Sequence, residues 1–166
     1  MKMEMQLKGL DDVLATLKAL PPEIVSKKGG PVKNALRRGA RQLRDAAEAN
    51  LREVIARDGG QSTGLLEKNL IASRGKPLSS GKGERYLVRV KRKAYPGRNP
   101  ERDGKVPTVR KSAQLLEWGS SQQQATPWLR PAVSQHGAAV IETIRTDLLK
   151  RIDSTVKRIA KNGGGR

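Results

Sequence analysis

Residues 115–133 read LLEWGSSQQQATPWLRPAV: a short apolar run, an aromatic-glycine turn, then a proline-bracketed Trp-Leu-Arg. Leu115, Leu116 and Trp118 close a strand-like run over 114–118, and Gly119 lets the chain leave it through a left-handed turn at no steric cost. Pro127 and Pro131 flank Trp128, Leu129 and Arg130, and Pro131 suits the first turn of a helix, where its missing N–H goes unused. A long helix is therefore expected over 131–161, with Val133, Gly137, Ile141, Ile144, Leu148, Ile152, Val156 and Ile159 on one stripe. With four aromatics in 166 residues, Trp118 and Trp128 are expected to anchor strand against helix as core residues, the alternative being direct contact with a partner. Glu117 and Arg130 suit an ion pair tying strand end to helix start, because a guanidinium fork matches a carboxylate. Neither is read as catalytic.

Glu117-Trp118-Gly119-Ser120 followed by Pro127-Trp128-Leu129-Arg130-Pro131-Ala132 resembles the E-F-G-[ST] … P-[FWY]-[LM]-R-P-A signature of a phage family. The family is that of the tail-completion and head-tail joining proteins, typified by gene product ten of the lambdoid phage HK ninety-seven. Its usual start, a strand, GLDD, a short helix and a double proline, is matched by 1–8, Gly9 to Asp12 and Pro21-Pro22. Its Thr-Gly-x-Leu step into a strand is matched by Thr63-Gly64-Leu65-Leu66.

The resemblance implies a structural virion protein of a long-tailed phage, a neck component joining the tail tube to the filled head as a homo-oligomeric ring. Six copies suit a sixfold tail. The implied partners are further copies of the chain, other neck and tail proteins, and DNA in the channel held without sequence preference. The implied location is the virion, with the host cytoplasm during assembly. A tail terminator capping tube polymerisation is the near alternative. The sequence departs from the family pattern in its very basic 74–111 segment and in Gln122-Gln123-Gln124, so partner contacts there are not carried over.

Charge is the strongest compositional signal. The chain carries a formal net charge of +18, and 74–111 hold thirteen basic against three acidic side chains, whereas 1–25 hold three basic and four acidic. Such a cluster attracts an anionic partner, nucleic acid or an acidic protein surface, with a force that salt screens. Leu, Ile and Val together number 36, enough for a folded but thin core. The absence of Cys leaves no disulfide framework and fits a reducing compartment. No apolar run reaches the length of a membrane span and no secretory signal is visible, so a soluble protein with no membrane partner is expected.

Outward from the motif, Met3, Met5 and Leu7 alternate with polar residues as a half-buried strand does, and Val13, Leu14, Leu17 and Leu20 suit a short helix capped by Asp11 or Asp12. Pro31 opens the clearest helix, with Val32, Leu36, Gly39 or Ala40, Leu43, Ala47, Leu51 and Val54 or Ile55 spaced by three and four. Its other side carries Lys33, Arg37, Arg41 and Arg44, either a solvated face or a wall toward DNA or a neighbouring subunit. Ser62 or Thr63 can cap a short turn after the glycine pair at 59–60. Residues 70–73 suit a strand, and 85–92 alternate more clearly, with Tyr86, Val88 and Val90 opposed by Arg85, Leu87, Arg89 and Lys91 as a basic outer face. Residues 93–112 hold three prolines and two glycines without periodicity and are expected to form an extended basic loop.

Catalytic chemistry has little to draw on. A single His136 cannot make a multi-histidine metal site, and neither glycine pair has phosphate-loop spacing, so no metal, no cofactor and no enzyme activity are expected. The expected class is α+β: a small antiparallel sheet of three or four strands drawn from the N-terminal segment, 70–73, 85–92 and 114–118. The Pro31 helix packs on that sheet, and a long C-terminal helix packs nearby or reaches toward a neighbour. Residues 1–161 would form one domain, and 162–166 a frayed tail. A free non-specific nucleic-acid-binding protein is the competing class, although the basic residues lack interleaved aromatics and no helix-turn-helix or zinc pattern is present.

Overall fold

Helix α1, Pro31–Arg57, begins as the proline predicts and runs 27 residues. The computed structural model describes residues 30–57, 62–76, 84–99, 104 and 106–163. The N-terminal strand and short helix expected from the sequence lie outside the described residues. After α1 come α2 (Leu65–Asn69), β1 (Leu70–Arg74), β2 (Tyr86–Val90), α3 (Val109–Trp118) and α4 (Leu129–Gly163).

The two ends of α1 bury different surfaces. Its first half packs antiparallel on α4: Ala35 lies with Leu148 and Ile152, and Arg38 bonds Asp147 at 2.9 Å. Small residues make the approach close, since a Cβ on Gly39 would collide with the Ile144 side chain and come within 3.3 Å of Val140. Its second half turns Ala47, Leu51 and Val54 onto the main core, which also holds Leu66, Leu70, Val109, Ala113, Trp128 and Ala132. Leu51 and Val109 are fully buried, which contributes about 1.5–3 kcal/mol each.

The Thr-Gly-x-Leu step becomes one helical turn before the strand. Gly64 sits at φ 68, where only a residue without a Cβ is unstrained, and its N–H donates to the Ser62 hydroxyl. Strands β1 and β2 pair antiparallel, Leu70 opposite Val90 and Arg74 opposite Tyr86. Val88 and Val90 pack against the core beneath α1, so Arg89 and Lys91, of opposite parity, stand on the other face of the sheet. Among the described residues the sheet has two strands, fewer than the three or four expected.

One missing strand is the expected 114–118, which is helical. The Thr108 hydroxyl accepts from the Lys111 N–H at 3.3 Å and caps α3, while Val109, Ala113 and Glu117 are buried at a spacing of four. The pair Leu115-Leu116 is too short an apolar run to separate strand from helix by itself. The expected loop over 93–112 is correspondingly shorter. The Val109 N–H donates to the Lys93 carbonyl, the Tyr95 N–H donates to the Pro107 carbonyl, and Ala94 bridges Thr108. These contacts close the base of the excursion before α3 starts.

Helix α4 starts two residues before Pro131 and spans 35 residues. Leu148 and Ile152 of its expected stripe are buried, as is Gly137. Elsewhere the buried line runs through Ala132 and Val140 rather than Val133 and Ile141, and Val156 is exposed.

Candidate functional site

The motif residues converge where α3 ends and α4 begins. The N–H of Gly119 donates to the Leu115 carbonyl at 2.8 Å and closes α3. With Gly119 at φ 73, the chain turns back so tightly that a Cβ there would lie 2.8 Å from both the Ala125 nitrogen and the Gln123 carbonyl oxygen. Bonds from Ser120 N–H to the Gln123 carbonyl and from Thr126 N–H to the Leu116 carbonyl, both 2.8 Å, fix the return. Gly119 is thus required as expected, but it leaves a helix instead of a strand.

This return aims the start of α4 at Glu117. One carboxylate oxygen accepts the N–H groups of Trp128 and Leu129, each at 2.8 Å. The other accepts the Arg130 N–H at 3.1 Å and Arg130 Nε at 2.9 Å, while Arg130 Nη2 donates to the Glu117 carbonyl at 2.7 Å. The first N–H groups of a helix have no partner within it and carry its positive dipole end. A carboxylate from the preceding helix fills the role of a capping side chain, and the guanidinium balances its charge. The expected Glu117–Arg130 pair is present, and it does more than pair.

The two tryptophans part company. Trp128 is 3% exposed, and its indole N–H donates to the Ala113 carbonyl at 3.2 Å. Its own carbonyl accepts from the Asn50 side chain on α1, a contact with no motif to announce it. Trp118 is 66% exposed, which corrects its assignment to the core. Burial at 109, 113 and 117 sets the phase of α3, and position 118 falls a hundred degrees away from the buried line. The Arg130 guanidinium lies 4.4 Å from the centre of its ring. Of the other motif positions, Ala132 is fully buried, Leu129 packs on the core, Pro131 is half-buried, and Ser120 and Pro127 are exposed.

A groove of about 640 Å³ opens between β2 and α3, beside Trp118. Arg89 and Lys91 line it as the strand's basic face, together with Arg92 and Arg110, which had not been singled out within the charged segment. Arg85 is half-buried and lies outside this lining. On α1, Arg37 and Arg41 are exposed, Lys33 and Arg44 are half-buried, and Arg44 pairs with Asp45. Among the described residues no hydrogen bond or ion pair joins the α1 stripe to the strand face.

Asp147 is a buried acid that the apolar stripe of α4 concealed. Hydrogen bonding from Arg151 holds its carboxyl below the ordinary aspartate range, burial opposes that, and the bond from Arg38 adds to it. His136 is exposed on α4, and among the described residues no group of acidic or histidine side chains comes together that could hold a metal ion. No helix among them is long and apolar enough to cross a membrane.

A comparison with known families finds no matching family model, and comparisons with curated proteins and with solved structures find no match either.

Proposed function

We propose that the chain is a structural assembly protein, a module whose surfaces meet other proteins and an anionic polymer and whose interior carries no reaction. In particular, it serves as a neck or tail-completion component of a long-tailed phage, joining tail tube to head as a homo-oligomeric ring, hexameric by preference. The observation that carries the reading is the clasp. Residues that form the family-like signature, separated by up to thirteen positions in sequence, meet at one joint in which Glu117, Gly119, Trp128 and Arg130 each have a distinct physical task. The clasp supports the reading because it gives the signature residues one shared structural task, the joining of α3 to α4.

Within a ring, part of the basic surface faces the DNA that passes through the lumen. The α1 stripe suits that role better than the strand face. Arg37 and Arg41 stand exposed along one helix side and have no ion-pair partner among the described residues, whereas Arg89 and Lys91 border a groove. Contacts of this kind hold phosphates without reading sequence.

Size-exclusion chromatography with light scattering on the purified full chain tests the reading. A closed ring whose population rises with concentration is expected. A monomer at every concentration that binds DNA tightly would favour the second reading, a free nucleic-acid-binding protein, for which the net charge of +18 is the supporting observation.

A further inference from the structure

The groove between β2 and α3 combines two chemistries that the clasp and the α1 stripe leave unused. Its interior is apolar, with Leu87, Val90 and the buried Trp128 in the lining. Its rim is cationic: Arg89, Lys91, Arg92 and Arg110 are all exposed, and none of them has an ion-pair partner among the described residues. The one carboxylate in the wall, Glu117, is 4% exposed and already occupied by the start of α4 and by Arg130. At the mouth stands Trp118, with one ring face under the Arg130 guanidinium and most of its surface in water. Leaving a large ring in water is unfavourable, and its stacking on Arg130 favours the pose that presents its other face. A pre-oriented aromatic beside arginines is the composition of a binding hot spot, because little rotamer freedom remains to be lost on contact.

We propose that this groove docks an acidic, partly apolar peptide segment of a partner protein. Aliphatic side chains of the segment enter over Leu87 and Leu129 and pack on Trp118, while its carboxylates meet Arg92 and Arg110. Charge selects this occupant over a second copy. On a second copy, seven of the nine acids among the described residues are already ion-paired, so that surface offers few free carboxylates to a cationic rim. Nucleic acid is disfavoured by shape. A single exposed ring is no succession of stacking platforms, and a duplex carries its phosphates on a convex rod that cannot reach an apolar floor.

The inference deepens the neck reading, since it names the chemistry of a partner beside the motif. Its test needs neither ring nor particle, so its failure would leave the oligomer measurement standing.

The probe is a dye-labelled peptide of about ten residues alternating glutamate and leucine, titrated into the purified full chain at moderate salt and read by anisotropy. Saturable binding is expected, weakened about tenfold or more by Trp118→Ala and by the double variant Arg92→Glu/Arg110→Glu, with Trp118→Phe restoring most of the loss. Circular dichroism confirms that each variant is folded, and the arginine pair carries the test if the tryptophan variant is not. Arg37→Glu/Arg41→Glu on α1 should leave peptide binding unchanged, and a lysine-leucine peptide should not bind. Peptide binding that ignores Trp118→Ala and the arginine pair, or falls equally with the α1 variant, would overturn the proposal. So would duplex DNA whose own binding falls as far as the peptide's in the Trp118→Ala variant.

Discussion

Two tryptophans ten positions apart in one motif differ in exposure from 3% for Trp128 to 66% for Trp118, and the difference is energetic. Trp128→Ala removes a buried ring and its bond to the Ala113 carbonyl and should destabilise the fold by about 3–5 kcal/mol, whereas Trp118→Ala should stay within about 0.5 kcal/mol. Denaturant titration of both variants checks the contrast. The sequence made the Glu117–Arg130 pair legible because a carboxylate and a guanidinium flanking a turn have few other partners. It could not show the three N–H groups that Glu117 also accepts, since those depend on where α4 begins. Asp147 makes a second residue-level prediction. Arg151 and Arg38 lower its folded-state pKa, so the unfolded chain binds the proton more readily and stability rises with pH through that window. The contribution is complete above the ordinary aspartate value of 3.8 and fades as pH falls through the lowered folded value. Asp147→Asn should therefore lower the melting temperature at neutral pH, and its deficit should shrink in acid. A deficit constant down to strongly acidic pH would show that the ion pairs carry no stability.

Between elements, the crossing of α1 and α4 is set by what is missing from Gly39. Gly39→Leu forces the Ile144 side chain aside and should cost about 1–3 kcal/mol by overpacking, although leucine is the better helix former. A rise in midpoint denaturant concentration for that variant would mean that the helices separate freely and that the contact is not tight. Both long helices were legible from proline starts and spaced apolar residues. The phase of each was less so: Ala35 rather than Leu36, and Val140 rather than Ile141, face inward, because small residues carry the contact and hydrophobicity alone ranks them low. Helix α3 was missed for a related reason. Its buried positions are Val109, Ala113 and Glu117, and a buried glutamate hides the period of four from any count of apolar residues. The cap at Thr108 was the available signal, and it sat within a stretch whose prolines and glycines suggested a loop.

At the scale of the whole molecule, charge organises the account. Two groups of cations carry the proposals: the α1 stripe, proposed to face DNA, and the rim of the β2–α3 groove, proposed to hold an acidic segment. Arg37→Glu/Arg41→Glu should reduce non-sequence-specific DNA binding and flatten its dependence on salt, because fewer counterions are released, while the melting temperature stays close to that of the parent. Filter binding across a salt series would show it, and an unchanged slope would remove α1 from the DNA-facing surface. The central claim is one of place, that the chain belongs to the neck of a tailed virion, and labelling tests it most directly. Antibody raised against the chain, imaged by electron microscopy on phage particles made from the genome that encodes it, should mark the single point where head meets tail. Particles without label, or label along the tube or at its far tip, would contradict the account.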